Sequence, residues 1–454
     1  MLPSTATAQS CPPLPPPGQG SAPSALADVR YLADDALEGR AVGTPGGRCA
    51  AAYVAARFEA LGLVPAGAGR GWMQPFPLRV GAELNGVNRL RGPGLEWPND
   101  RWAPYGFSAS DSIVGSLVYA GSGVGQPGGE RPPSVRALIA VIETNTPGAQ
   151  GLYADPHFKA TIAARRGARA VILLESGALP ELATDIRPFL SVPVIAIGGR
   201  SAAAMRASAK LGLVMRIQVG VRARTRDVGN VIGLLPGADP ALRDEVIVVG
   251  AHFDHLGRGG TDASRAQGSR MIHNGADDNA SGTAALLEVA RILKSGPAPA
   301  RSVLFIAFDG EELGMVGSEV YATTPVRPLA RTVAMLNLDM VGRLGSNGLT
   351  VFGVGTGPGW NVALDRASEA LPRPLPFERV ADGRGASDHA TFEARGVPAL
   401  HFFTGSHDDY HRPSDDWERV DVDGVERIAE LAAELTLRIA GRAGVAPITP
   451  GAAP

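Results

Sequence analysis

The sequence has little of what several common classes of protein need. Only two of its 454 residues are cysteine, which excludes a disulfide-rich scaffold and a zinc finger with cysteine ligands. The net charge is −2, so the strongly basic surface that binds nucleic acid through phosphates is missing. No run of 18 apolar residues occurs, and no transmembrane helix is expected. Any metal site must therefore use His, Asp and Glu.

The composition is that of a folded protein with more than one domain. Hydrophobic residues make up 44% of the chain, and 454 residues exceed the usual size of one hydrophobic core. The 58 glycines and 37 prolines indicate many turns. From the changes in composition we expect a tail or linker (1–24), a discontinuous main domain (25–82 and 227–440), an inserted domain (83–226) and a flexible tail (441–454).

The N-terminal residues suggest export. Met1–Ser10 has no basic start and no apolar stretch, but Ala6-Thr7-Ala8 is similar to the end of a signal peptide. We therefore expect a periplasmic or secreted protein whose signal peptide is incomplete or removed. In an exported protein, Cys11 and Cys49 can form a disulfide bond. The alternative, to which we give the same weight, is two free thiols.

The second half of the chain alternates strands with helices. Strands are predicted at Val246–Val249, Val303–Phe308, Val333–Leu338, Leu349–Val354 and Ala399–Phe403, and helices at Gly282–Leu293 and Val425–Ile439. This order predicts an α/β fold with a mainly parallel mixed sheet sandwiched by helices. The block 83–226 has short β-rich runs between Gly and Pro clusters, which predicts a smaller β-rich α/β domain.

The polar residues of this half follow the predicted strands. His252 and Asp254 follow the first strand, Glu311 and Glu312 the second, and Asp339 ends the third. Ligands of open α/β sheets bind outside the carboxyl ends of the strands. The sequence therefore predicts one site at this edge.

Two polar segments, one with His252 and Asp254 and the other with Asp277 and Asp278, each have a catalytic and a structural interpretation. Residues two apart in an extended chain share a face, so Asp254 is placed to orient a metal-bound His252; the alternative is a surface His and Asp without a ligand. Asp277 and Asp278 precede a predicted helix, where a carboxylate either caps the helix or bridges two cations.

The segment Asp309-Gly310-Glu311-Glu312 places three acids together without a neighbouring Lys or Arg. Such acids repel one another unless a cation lies among them, so a divalent metal is the simplest explanation, and a solvated acidic turn is the alternative. One glutamate then binds metal while the other takes a proton from water.

Asp339 and a later histidine complete the candidate ligands. A charge at the end of an apolar strand is costly unless metal or a partner such as Arg343 compensates it. His411 lies in a polar loop, with His401 and His407 as competing candidates. Together with the earlier acids, this set suits two zinc ions about 3.5–4 Å apart better than magnesium or manganese.

The order of these segments resembles a known family. AHFDH (251–255), GADDNASG (275–282), DGEELG (309–314), LNLDMVG (336–342) and DYHRPSDD (409–416) are similar to the motifs of the dinuclear zinc aminopeptidase family. That family also contains glutamate carboxypeptidase, glutaminyl cyclase and the non-enzymatic transferrin receptor. The block 83–226 resembles, more loosely, a protease-associated domain.

The resemblance implies a role for each matching residue. His252 and Asp339 correspond to ligands of one zinc, Glu312 and His411 to ligands of the other, and Asp277 to the bridging carboxylate. A cis peptide bond often follows that bridging residue, which here places it between Asp277 and Asp278.

The same resemblance implies the catalytic residues. Glu311 corresponds to the general base and Asp254 to the acid that supports His252. Asp388 and Tyr410 are candidate residues of the substrate pocket.

The implied activity is a metallo-aminopeptidase that removes N-terminal residues from peptides with two zinc ions. The alternatives are a carboxypeptidase or dipeptidase, which a basic cluster of Arg379, Arg384 and Arg412 in the pocket would favour, and a glutaminyl cyclase, which uses one zinc. A receptor-like protein without activity is disfavoured, since every ligand position is filled. The oligomeric state is not readable from the sequence.

Overall fold

The computed structural model describes most of the chain. The described residues are 11–14, 25–92, 95–124, 132–145, 153–260 and 263–441. The predicted tails, 1–24 and 441–454, lie almost wholly outside them. The chain divides into two compact units, one formed by Met1–Phe76 with Asp227–Pro454 and the other by Pro77–Arg226.

The described residues contain ten α-helices and seventeen strands. The helices are α1 (Ala25–Leu32), α2 (Pro45–Ala60), α3 (Pro156–Arg165), α4 (Gly199–Lys210), α5 (Gly282–Ser295), α6 (Val316–Thr323), α7 (Leu344–Asn347), α8 (Trp360–Ala370), α9 (His389–Glu393) and α10 (Val422–Ala440). The strands are β1 (Val64–Pro65), β2 (Met73–Leu84), β3 (Arg89–Gly92), β4 (Leu95–Glu96), β5 (Trp102–Pro104), β6 (Asp111–Tyr119), β7 (Ile139–Glu143), β8 (Ala170–Glu175), β9 (Val194–Gly198), β10 (Val214–Val219), β11 (Val221–Leu235), β12 (Val246–His252), β13 (Ser302–Phe308), β14 (Thr332–Leu338), β15 (Thr350–Phe352), β16 (Glu378–Val380) and β17 (Ala399–Phe403).

The first unit contains the predicted mixed sheet. Its strand order is β1-β11-β13-β12-β14-β17-β15-β16, and β2 pairs with β11. The central neighbours β13, β12, β14 and β17 are parallel to one another, whereas β11 and β15 run antiparallel to their neighbours in that group. The α/β fold class predicted from the sequence is therefore confirmed.

The central strands are mostly apolar because both faces of the sheet are covered, with Asn337 in β14 and His401 in β17 as buried polar residues. In β12, Val249 packs into a cluster with α1, α2, α5, α8 and α10, whereas its neighbour Val248 packs with α6 and α9. Successive side chains of a strand point to opposite faces, so a run without polar residues is the pattern of a sheet between two helical layers.

Local signals set the ends of several elements. The predicted strand Leu349–Val354 is shorter in the structure, because Gly353 has a φ of +85° and ends β15. The first helix stops at Leu32, and Asp34 then caps a short turn by accepting a hydrogen bond from the Ala36 amide. At the other end of the unit, α10 begins after Asp421, whose carboxylate accepts the Gly424 amide.

The second unit is a β-rich α/β domain of its own. It begins at Pro77, slightly before the expected 83, and ends at Arg226. Its sheet has the order β4-β3-β10-β6-β7-β8-β9-β5, with β6, β7, β8 and β9 parallel. The resemblance of this unit to a protease-associated domain stays a prediction.

Candidate metal site

The candidate site lies at the carboxyl ends of the central parallel strands. His252 ends β12 and is in register with Phe308, the last residue of β13. Leu338 ends β14 next to Phe402 of β17. Parallel pairing therefore brings the loops that follow these four strands to one edge, although up to 159 positions separate their residues.

One group of possible metal ligands surrounds the Nε2 atom of His252. That atom lies 3.4 Å from Oδ1 of Asp339 and 3.5 Å from Oδ1 of Asp278. His252 is 1% exposed, so its nitrogen is shielded from bulk water. The three donors lie within 4.8 Å of one another, which suits a single cation.

A second group lies around Glu312. Its Oε1 is 2.6 Å from Nδ1 of His255, and its Oε2 is 3.3 Å from Nε2 of His411. The Oδ2 atom of Asp278 lies 3.1 Å from the same nitrogen of His411. His255, Asp278 and Glu312 form a compact set of donors, and Nε2 of His411 lies within 3.3 Å of both carboxylates.

Asp278, rather than Asp277, is the carboxylate shared by the two groups. Its Oδ1 faces His252 and its Oδ2 faces His411. The structure differs here from the expectation for Asp277, because adjacent residues point in different directions and only one of the two can enter the site. The cis peptide bond is correspondingly between Asp278 and Asn279.

Asp277 is engaged in the structure of its own loop. Its carboxylate accepts hydrogen bonds from the Gly342 amide at 2.6 Å and from the Ser281 hydroxyl at 2.9 Å, and lies 3.0 Å from Nε2 of His407. The carboxylate is fully buried. Asp277 therefore ties the loop before α5 to the segment that follows β14.

Asp254 supports both neighbouring loops. Its Oδ1 lies 3.6 Å from Nδ1 of His252 and accepts the Glu311 amide, and its Oδ2 accepts the Glu312 amide. The residue is fully buried. The carboxylate thus holds the turn that presents the two glutamates, and the backbone carbonyl of Asp254, 3.3 Å from Nδ1 of His252, orients the imidazole.

The adjacent glutamates have opposite electrostatic environments. Burial raises the pKa of Glu311 well above its usual range, and the carboxylates of Asp339 and Asp388 add to the rise. Burial also opposes ionisation of Glu312, but the imidazoles of His255 and His411 outweigh it and lower the pKa of that carboxyl. Glu312 is thus held as an anion, and Glu311 is disposed to accept a proton.

The donor set fits two divalent cations. Oδ1 of Asp339 is buried and has no hydrogen-bond partner among the described residues, although it faces the His252 nitrogen. Buried acids at this density repel one another unless cations lie between them. Nitrogen and carboxylate oxygen donors without cysteine are typical of co-catalytic zinc sites.

The structure also shows where the other candidate partners and ligands from the sequence lie. Arg343 lies near the carboxylates of Asp277, Asp409 and Asp415, so it is not the expected partner of Asp339. His407 lies beside Asp277, and His401 packs in parallel on the ring of His389 with 4.4 Å between centroids. Neither histidine belongs to the two donor groups.

A cavity of about 260 Å³ opens onto the donor groups. Its wall combines the polar site with apolar side chains, and Glu311 and Tyr410 both line it. Asp388 is fully buried and is not among the lining residues, so its carboxylate lies inside the protein rather than on the wall of the pocket. Burial raises the pKa of Asp388 to about 7.

The buried side chain of Arg40 connects the loops of the site through hydrogen bonds to their backbone carbonyls. Its Nε donates to the carbonyl of Phe253 at 2.8 Å, and its Nη2 donates to that of Gly275 at 2.9 Å. Its Nη1 donates to the carbonyls of Leu32 and Asn274. The side chain is completely buried, so four backbone acceptors from three segments depend on one guanidinium.

Replacing Arg40 with Met should destabilise the protein strongly. The loss leaves four buried carbonyls without their donor, which we expect to lower the free energy of unfolding by at least about 3 kcal/mol. Denaturant unfolding of the metal-free protein measures this change. Arg258→Met is the control, since Arg258 makes an exposed pair with Glu38 and its loss should change stability by less than about 0.5 kcal/mol. Equal stability of the two variants would contradict the role of Arg40.

Sequence reasoning missed three residues of this site. His255 stands inside the AHFDH segment, where a second histidine three positions after the first was a usable signal. Asp278 was visible as the neighbour of Asp277. Asp415 accepts the amides of both Asp277 and Asp278, but no local pattern indicates that contact, because it spans 138 positions.

The sequence is similar to those of known peptidases. Residues 230–436 match the model of peptidase family M28. Aminopeptidase YwaD of Bacillus subtilis (strain 168) is 27% identical over 286 residues, which are 60% of this chain and 57% of that protein. Leupeptin-inactivating enzyme 1 of Streptomyces exfoliatus is 31% identical over 179 residues, 39% of this chain and 36% of the relative. The match thus covers 57% of the first relative and 36% of the second.

Solved structures share the fold over nearly the whole chain. An aminopeptidase from Aneurinibacillus sp. strain AM-1 has a TM-score of 0.54 at 23% identity and covers 95% of both chains. BSAP, a zinc aminopeptidase from Bacillus subtilis, has a TM-score of 0.53 at 22% identity and covers 92% of this chain and 94% of its own. Because the sequence identity is below 25%, this similarity shows the fold alone.

Proposed function

We propose that this protein is a zinc-dependent exopeptidase, an aminopeptidase, that hydrolyses the N-terminal peptide bond of its substrates, because residues 230–436 match the model of peptidase family M28. The observation that carries the proposal is the position of Asp278, whose two oxygens face two separate groups of ligands beside Glu311. The names of the aminopeptidases that resemble this chain favour removal of N-terminal residues over the other activities of the family.

The residues that would hold the metals follow from the two groups. His252 and Asp339 would bind one zinc ion, Glu312 and His411 the other, and Asp278 would bridge them. His255 would orient Glu312 through the contact of 2.6 Å. When bound, two zinc ions supply Lewis acidity that lowers the pKa of a water and polarises a carbonyl.

The chemistry assigned to the chain itself is proton transfer by Glu311. Its carboxylate lines the cavity and lies 3.9 Å from the His252 nitrogen, next to the ligands. It accepts one proton from the attacking water as the new C–O bond forms, and gives that proton to the leaving nitrogen as the C–N bond breaks. Asp254 keeps the turn of Glu311 and the ring of His252 in place.

The first test combines metal analysis with a panel of substrates. We expect about two zinc ions per chain and cleavage of aminoacyl-p-nitroanilides but not of N-blocked peptides. Cleavage restricted to blocked peptides with a free carboxylate would indicate a carboxypeptidase, and cyclisation of a glutaminyl peptide with one zinc would indicate a cyclase. Absence of metal and turnover after zinc is restored would contradict the enzymatic proposal.

We also propose that the protein works in an oxidising compartment outside the cytoplasm. Cys11 and Cys49 form a disulfide bond, with 5.3 Å between their Cα atoms. Such bonds persist mainly in exported proteins. Within the described part of the chain, no helix is both long and apolar enough to cross a membrane.

The disulfide bond has a direct chemical test. The chain has only two cysteines, so a thiol assay on denatured, unreduced protein should detect close to zero thiols per chain, and close to two after reduction. Protein isolated from its native compartment with rapid alkylation is the appropriate sample. Two thiols before reduction would contradict both the bond and the proposed compartment.

A further inference from the structure

The cavity beside the metal site carries an arginine without a partner. Arg384 is the only Arg or Lys among the residues that line the cavity, and its side chain is exposed to solvent. Within the described residues, its guanidinium makes no hydrogen bond or ion pair, and its backbone amide donates to Asp382. A planar guanidinium in a cleft is well suited to bind a carboxylate.

The other two arginines of the basic cluster considered from the sequence are placed differently. Arg379 pairs with Asp365 and lies over the ring of Phe377, and Arg412 is not among the lining residues of the cavity. Arg384 is thus the member of the cluster that a bound substrate can reach.

The loop of Arg384 is held in position by packing. Gly385 follows it and lies against His389: a Cβ atom at position 385 would be 2.9 Å from Cε1 and Nε2 of that ring. His389 in turn stacks on His401. The loop is therefore fixed on a buried pair of rings.

The wall next to Arg384 offers further donors. The side-chain nitrogen Nδ2 of Asn337 donates to Nδ1 of His401 at 3.2 Å, which leaves the ring proton on Nε2 in this arrangement. The hydroxyl of Ser406 also lines the cavity. Phe352 and Phe403 complete the wall with apolar surface that suits an aliphatic chain.

Bound cations would change the electrostatics of the cavity in favour of an anion. Asp278, Glu311, Glu312 and Asp339 carry four negative charges when ionised, which two divalent cations offset. The guanidinium of Arg384, which makes no ion pair with any described residue, would then be available to an anion bound in the cavity.

We propose that Arg384 binds a carboxylate of the substrate and thereby sets the specificity of the enzyme. This inference rests on the proposed peptidase function. Two sources present such a carboxylate close to the scissile bond: the side chain of an N-terminal Glu or Asp, and the terminal carboxylate of a dipeptide. The same guanidinium can bind either carboxylate, and the experiment below distinguishes between the two.

The test compares substrate pairs that differ in one carboxylate. For the side chain, kcat/KM is measured with the p-nitroanilides of Glu and Gln, and for the terminus with Ala-Ala and its amide. The wild-type protein should prefer the charged member of one pair by about tenfold or more, as expected for a charge-assisted hydrogen bond. In Arg384→Gln that preference should disappear, whereas Arg379→Gln, the matched control, should retain it.

If Arg384→Gln loses the preference only between the Glu and Gln substrates, Arg384 binds the side-chain carboxylate. If it loses the preference only between Ala-Ala and its amide, Arg384 binds the terminal carboxylate of the dipeptide. Equal rates within both pairs, or a preference that survives Arg384→Gln, would overturn the inference while the peptidase proposal stands. Should no substrate be hydrolysed, calorimetric binding of L-glutamate against L-glutamine, and of Ala-Ala against its amide, to the zinc-loaded wild-type and Arg384→Gln proteins decides the carboxylate site separately: binding without preference overturns it.

Discussion

Replacing Glu311 with Gln should lower kcat about a thousandfold and leave zinc at about two ions per chain. The amide is nearly the same shape as the carboxylate but cannot accept the proton of the attacking water, and general-base catalysis typically contributes between about 10² and 10⁴ in rate. The Glu311 carboxylate lies 3.9 Å from Nε2 of His252 and belongs to neither donor group, so metal binding should persist. Elemental analysis and single-turnover kinetics on the same preparation measure both quantities.

The neighbouring residue provides the control for this experiment. Glu312→Gln removes a charge that faces His255 and His411, and we expect that variant to lose metal as well as activity. Two adjacent glutamates with the same substitution should therefore differ in zinc content. A Glu311→Gln enzyme with more than about a tenth of the wild-type kcat would remove Glu311 from the mechanism.

Replacing Asp278 with Asn should reduce the zinc content of the protein from about two to less than one ion per chain. Its two oxygens face both donor groups, so its loss weakens both sites together, and each lost carboxylate ligand also removes a compensating charge. Zinc titration with a chromogenic chelator, after exhaustive dialysis against a zinc buffer, measures the affinity of the sites.

Asp277→Asn is the matched control at the adjacent position. Its carboxylate accepts the Gly342 amide and the Ser281 hydroxyl, so the substitution should lower the free energy of unfolding by about 1–3 kcal/mol and leave zinc near two per chain. The opposite pattern, with metal lost from Asp277→Asn and retained by Asp278→Asn, would restore the assignment expected from the sequence and reject the one drawn from the geometry.

The pattern of apolar residues was sufficient to predict the central strands and the closing helix. Val246–Val249 and Val303–Phe308 fall within β12 and β13, because a strand covered on both faces is mostly apolar. The ends of elements were less readable. Gly353 shortens β15 through its positive φ, which depends on the path of the next loop rather than on hydrophobicity.

The fold class of the main domain and the chemical nature of its site were predictable from the order of the residues. Apolar strands followed by His, Asp and Glu allow few arrangements, since the carboxyl ends of parallel strands must meet at one edge. Which carboxylate faces the two donor groups depends on the tertiary structure alone. Asp277 and Asp278 are alike in residue type and context, and only contacts with Gly342, His407 and Asp415, made across 65 to 138 positions, direct one into the loop and the other into the site. The same holds for Arg384, because one of three similar arginines reaches the cavity through the packing of its loop on His389.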